Sequence, residues 1–413
     1  MSIIKPLITA IVLMISLTIN AQTCNSNVKD DWQNNRYIDN GDGTILDKFT
    51  KLIWKQCAEG LSGDDCATGG AIAANWQQAL QQANSSIFAG KLNWRLPNLK
   101  ELLSLVRLNC ISPAINEALF PSNPAKYFWS SSPFMKDSSQ AWAVTFYKGY
   151  YSNINRNNSH RFRLVNAGDV INSIPTLSVP TALNDTGITW GGSYPSGNNA
   201  GCTGTTITAQ DCSHGRDAKA AANTLTKIGA GSAGFDFTKL DSNGNTLSAS
   251  ATDWRCVKDN HTGLVWEVKT TSNLHNKNDT YNWYNTNSAT NGGAVGFADD
   301  DGNTCHGYNS SDSNTFCNTQ AFVNRVNTAG LCGANDWRMP DRNELRSIVN
   351  YGRLRPSIDT GYFPNTPADD FWSSSPHSSY SPFAWTVLFN SGGYVSYDAR
   401  NLSNRLRLVR SGQ

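Results

Sequence analysis

One internal repeat restricts the fold more than any other feature of this chain. Residues 93–102 read NWRLPNLKEL, and residues 336–345 read DWRMPDRNEL, with Trp94 and Trp337 243 positions apart. The match extends both ways. Upstream, residues 47–54 (DKFTKLIW) pair with 259–266 (DNHTGLVW). Downstream, FWSSSP recurs at 128–133 and 371–376, and residues 141–146 pair with 384–389. The copies close on Arg161-Phe162-Arg163-Leu164-Val165 and Arg405-Leu406-Arg407-Leu408-Val409, where the offset is 244. A unit this long, written twice, predicts two tandem domains and excludes a solenoid of short repeats.

Within each copy a turn precedes a short apolar strand ending in Trp54 or Trp266. A helix-like stretch follows, from Trp76 in the first copy and over 319–326 in the second. The closing segments alternate at period two, as half-buried strands do. Strand, helix, helix, loops and then several strands is an α+β order, with helices segregated from an antiparallel sheet. The expected boundaries are 24–168 and 184–412. Between them 169–183 reads as a linker, polar and carrying Pro175 and Pro180. Residues 184–253 have no counterpart in the first copy. They are expected to elaborate the second domain and pack on it, with a small independent domain as the alternative, and to carry a short helix over 217–227 and a hairpin from Phe235.

Lys5 is followed by an apolar run over 6–19 and by Ala21, which reads as a signal peptide over 1–21. The run is too short to favour a transmembrane span. Exported chains keep disulfides, and four cysteines fall before residue 170 and six after 200, so each half can close its own. Proximity favours Cys57–Cys66, Cys202–Cys212 and Cys305–Cys317. Elimination leaves Cys24–Cys110 and Cys256–Cys332, although spacing alone does not fix the pairing. Net charge is +2, so no global field recruits nucleic acid or a membrane.

The chemistry-bearing blocks have competing readings. Asn98 with Glu101, and Asp341 with Glu344, read as capping boxes at helix starts. Trp94 and Trp337 read as buried plugs. Arg95 and Arg338 pair with the capping glutamates, or else grip a sugar. The serines of FWSSSP lack a nucleophile elbow and a His at a matched position, so no enzyme is expected. Asp299, Asp300, Asp301 and Asn303 offer oxygens beside a glycine, as calcium loops do, without the terminal Glu. No other cofactor is implied. Arg400, Arg405, Arg407 and Arg410, echoed by Arg161 and Arg163, read as an exposed row able to bind sulfate or carboxylate bidentately. The competing reading is a solvated face paired with local acids. Tyr147, Tyr150, Tyr151, Tyr394 and Tyr397 precede the last strands, where an amphipathic ring can stack on a sugar or anchor a protein.

Taken together, the Asp-x-x-Thr turn, Trp-Arg-[Leu/Met]-Pro-x-x-x-Glu-Leu, Phe-Trp-Ser-Ser-Ser and the final Arg-Leu-Val resemble the Lcl C-terminal domain family, named for the Legionella collagen-like adhesin. The resemblance covers about 36–168 and 254–412. It implies a bacterial surface protein of adhesin type that binds sulfated glycans, and a C-type-lectin-like architecture. The chain departs from both patterns: it has no collagen repeats, and no Glu-Pro-Asn or Gln-Pro-Asp triplet of calcium-dependent lectins. The expected partner is an extracellular glycan. The alternative is a surface protein bound by an envelope- or pilus-associated module.

Overall fold

In the computed structural model, which describes residues 21–30, 34–167, 183–202, 207–390 and 392–412, each repeat builds the same pair of antiparallel sheets. The first domain contains β1 (Tyr37–Asp39), β2 (Thr44–Asp47), β3 (Ile53–Lys55), α1 (Trp76–Asn84), α2 (Leu99–Leu103), β4 (Tyr127–Pro133), β5 (Gln140–Thr145), β6 (Tyr151–Asn155) and β7 (Val165–Asn166). One sheet runs β7-β3-β2-β1 and the other β6-β5-β4. After α3 (Gly215–Ala221), the second domain follows as β8 (Phe237–Leu240), β9 (Cys256–Asp259), β10 (Leu264–Glu267), α4 (Thr319–Ala329), α5 (Arg342–Ser347), β11 (Asp370–Pro376), β12 (Phe383–Leu388), β13 (Tyr394–Ala399) and β14 (Val409–Ser411). Its sheets run β8-β9-β10-β14 and β11-β12-β13. The architecture is α+β, rich in sheet and poor in helix.

The repeated ten-residue block opens a helix in both domains. Asn98 accepts from the Glu101 N–H at 2.8 Å, and Glu101 accepts back from the Asn98 N–H at 2.8 Å. Asp341 and Glu344 make the same exchange. These bonds satisfy orphan donors of the first turn. Glu101 also takes both Arg95 Nη atoms at 2.7 Å. Trp94 and Trp337 are buried beside their helices. In FWSSSP the first serine is spent on structure: Ser130 Oγ donates to the Trp142 carbonyl and Ser373 Oγ to that of Trp385, both at 2.8 Å.

Five disulfides close: Cys24–Cys110, Cys57–Cys66, Cys202–Cys212, Cys256–Cys332 and Cys305–Cys317. None crosses between the repeats. The linker over 169–183, except Leu183, and the signal peptide over 1–21, except Ala21, lie outside the described residues. Among the described residues, no helix is long and apolar enough to cross a membrane.

Residues 184–253 do not pack on the second domain alone, and this corrects the expectation. Asp185 Oδ1 accepts from Asn98 Nδ2 at 2.9 Å, and Arg156 donates to the Ser193 and Gly197 carbonyls at 2.6 and 2.9 Å. The segment also touches the second domain along its length: the Thr186 carbonyl accepts from the Tyr351 N–H at 2.8 Å, the Ser232 N–H donates to Asp359 at 2.7 Å, and β8 joins as an edge strand on β9 in the place β1 takes on β2. Its helix is α3, earlier and shorter than 217–227. The segment packs on the first domain because buried Asp185 and Asp211 find donors there, Asn98 and Ser132, while buried Asp217 accepts from the Gly187 and Gly234 N–H groups at 2.7 and 2.6 Å within the segment.

The two domains share one apolar core rather than meeting as separate globules. The Trp142 ring lies 5.1 Å from Tyr394 and 5.9 Å from Tyr351, and the Tyr151 and Tyr351 hydroxyls meet at 3.1 Å. Lys100 Nζ donates across the seam to the Ser347 carbonyl at 2.8 Å and to that of Asp185 at 2.7 Å.

Candidate functional site

The arginines expected to form an exposed row do not form one. Arg407 is fully buried; it donates to the Glu267 carbonyl at 2.6 Å and to Thr366 Oγ1 at 2.8 Å. Its counterpart Arg163 is equally buried, bonded to the Lys55 carbonyl at 2.6 Å and Asn123 Oδ1 at 2.8 Å. Arg400 is buried flat over Trp283, 4.0 Å from the ring, as Arg156 lies over Trp76 at 4.7 Å. Arg405 and Arg410 reach the surface but are paired, with Asp369 at 3.2 Å and Asp336 at 2.5 Å. The reason is local. Residues 406–408 are not in a strand, so the two-residue alternation does not hold Arg405 and Arg407 on one face.

Tyr394 is half-buried in the seam against Trp142. Tyr397 is 39% exposed, with its ring 4.7 Å from His377. The aspartate loop is exposed, yet two of its carboxylates already serve the fold. Asp299 accepts from the Tyr308 hydroxyl at 2.9 Å, and Asp301 accepts from Ser403 and from Asn282. Asp300 and Asn303 remain at the surface. Among the described residues, no three His, Cys, Asp or Glu side chains gather as a metal would need.

What the structure does assemble is a cleft of about 470 Å³ on the first domain. Tyr127 enters from the start of β4, Thr145 from the end of β5, and Tyr147 and Tyr150 from the turn that follows; His160 and Arg161 close it from the segment before β7. Tyr127 and Tyr150 meet edge to face at 6.2 Å, and His160 lies 5.6 Å from Tyr127. Lys126 adds a second cation, and no carboxylate lines the cleft. Arg161 Nε and His160 Nε2 are buried without a protein acceptor. Burial, reinforced by Arg161, holds the His160 imidazole below its ordinary pKa. Burial and the Tyr150 hydroxyl push the Tyr127 phenol up. At neutral pH the cleft is therefore aromatic and cationic, with no internal counter-charge.

The second domain does not repeat this lining. By the repeat offset, Asp369 and Asp370 stand where the first copy has Lys126 and Tyr127, Asn390 and Gly393 replace Tyr147 and Tyr150, and Arg405 replaces Arg161. Asp369 neutralises Arg405, and Asp370 accepts from the Thr386 hydroxyl at 2.9 Å. Burial pushes the Asp370 carboxyl up to about 6.

The Lcl C-terminal domain profile matches residues 43–166 and 255–410. The chain belongs to the Lcl C-terminal domain family. Both Lcl C-terminal domains therefore lie inside the duplicated units, and the segment carrying α3 and β8 lies outside either match. No curated protein and no solved structure matches the chain. Sequence reasoning named Arg161, Tyr147 and Tyr150 but not Lys126, Tyr127 or His160. The missing signal was differential: at these positions the two Lcl C-terminal domains disagree in charge and ring content.

Proposed function

We propose that the protein is an exported bacterial, non-catalytic binding protein of adhesin type, and that its first domain takes an anionic, sulfated glycan. One observation carries this reading: an open cleft lined by three tyrosines, Lys126 and Arg161, with no carboxylate of its own. Tyrosine faces suit the apolar faces of sugar rings, and an unpaired guanidinium suits a sulfate or carboxylate. The five disulfides fit an oxidising compartment such as the periplasm or cell surface. The paired sheets with two short helices in each domain support the C-type-lectin-like reading of the architecture. The arginines of the closing segment in the second domain are not part of the site.

Retention on a heparin column tests this. Arg161→Ala with Lys126→Ala is expected to elute at clearly lower salt than wild type, whereas Arg405→Ala with Arg410→Ala elutes near wild type. Equal elution of the first variant and wild type sinks the reading. Capture of one stoichiometric protein partner without any glycan-array signal would favour the protein-binding alternative.

A further inference from the structure

Helix α5 places two cations in the seam between the domains. Arg342 and Arg346 are both buried. At the repeat offset the first domain carries Leu99 and Leu103, and it carries Phe134 where the second has His377. The sister domain builds the same helix and strand from apolar residues at all three positions. The fold therefore does not require charge there.

Most of the polar nitrogens there also lack a protein partner. Arg342 Nε, Nη1 and Nη2, Arg346 Nε and Nη1, and His377 Nε2 are all buried without a protein acceptor. The remaining Arg346 nitrogen donates to the neutral Asn343 side chain. His377 Nδ1 accepts from the Ser379 N–H at 3.2 Å, so the proton sits on Nε2 and makes it a donor. Arg342 and His377 both pack on Trp385, at 4.5 and 4.9 Å from its ring, and Arg346 lies 5.9 Å from the Tyr151 ring. Rings and hydroxyls surround the pair, and the carboxylate that acts on Arg342, that of Asp341, is engaged as the helix cap through the Glu344 N–H. Buried donors are almost always satisfied, and a buried charge needs a counter-charge.

We propose that the seam holds a small inorganic anion of the halide class, bound between Arg342 and Arg346 with the His377 Nε2–H as a further donor. Water alone would satisfy hydrogen bonds but add no counter-charge for the two buried guanidinium groups. A sugar sulfate or a phosphate ester is too large to reach atoms buried this completely. The site is separate from the aromatic cleft of the first domain and does not depend on it. Its consequence is mechanical: the anion ties α5 to the seam, so the relative stability of the two-domain unit follows halide concentration.

Bromide is the probe. When sodium bromide replaces sodium gluconate at constant ionic strength, the wild-type Tm is expected to rise saturably by about 2–4 °C. Crystals soaked in bromide should show an anomalous peak at hydrogen-bond distance from the Arg342 and Arg346 guanidinium groups. Arg342→Leu with Arg346→Leu installs the residues of the first domain. That variant should match or exceed wild type in gluconate and lose the bromide response. No saturable shift in wild type, a response retained by the double variant, or density that refines as water with no anomalous peak each overturns the proposal. Should the variant fail to fold, the wild-type anomalous map decides alone.

Discussion

Glu267 is the residue whose removal should cost the second domain most, and the reason can be worked through. Its carboxylate is fully buried at the end of β10. Oε1 accepts from Lys269 Nζ at 2.9 Å and meets His275 Nδ1 at 2.8 Å, while Oε2 accepts from the Leu408 N–H at 2.9 Å. Burial alone would push the carboxyl up, but Lys269 and His275 together bring it down to about 2, from its ordinary 4.5. A carboxylate held below its unfolded pKa stabilises the fold above that unfolded value, and the stabilisation is lost as pH falls from about 4.5 to about 2. At 1.36 kcal/mol per unit, this is about 3 kcal/mol. Burial also pushes Lys269 below its ordinary value despite Glu267, so the pair as a whole contributes less than the carboxylate alone. Glu267→Gln strands a buried ammonium and should cost about 3–5 kcal/mol at pH 7. Glu267→Gln with Lys269→Met should recover much of the loss, because a neutral pair leaves no unpaired buried charge. Urea unfolding of the three proteins at pH 7 and pH 3 is the assay. A loss below about 1 kcal/mol for Glu267→Gln, or an unchanged acid dependence in that variant, would refute the reasoning.

Two further outcomes are expected. Cys24→Ser with Cys110→Ser opens a loop spanning 86 positions and should cost about 4–5 kcal/mol by chain entropy, read as a lower urea midpoint under oxidising conditions. Asp369→Lys installs the residue of the first domain, removes the partner of Arg405, and should raise the salt needed to elute the protein from heparin; unchanged elution would show that Arg405 stays inaccessible without Asp369.

Much of the scaffold was legible because it depends on local rules. Asn98 with Glu101 and Asp341 with Glu344 cap helices wherever the chain places them, since both partners lie within four residues. A third capping box, Asn75 with Gln78 at the start of α1, obeys the same rule and was overlooked because no repeat drew attention to it. The candidate site was only partly legible. Arg161 looked like Arg405, and Arg163 like Arg407, because the closing segments are nearly identical. One of the four faces an open cleft lacking an acid, one is paired with Asp369, and two are buried against strand carbonyls. Tyr394 carried the same ambiguity: its ring is committed to Trp142 across the seam.

By itself the sequence determined the duplication, the α+β order, the capped helices and the separation of cysteines into two closed sets, since all of these follow from spacing along the chain. Only the tertiary structure decided which arginine is free, which domain lines a cleft with tyrosines and cations, and where residues 184–253 pack. Those outcomes depend on partners tens to hundreds of positions away, such as Asp369 for Arg405, Asn98 for Asp185 or Ser347 for Lys100. Burial and counter-charge are properties of that assembled neighbourhood, and no local pattern encodes them.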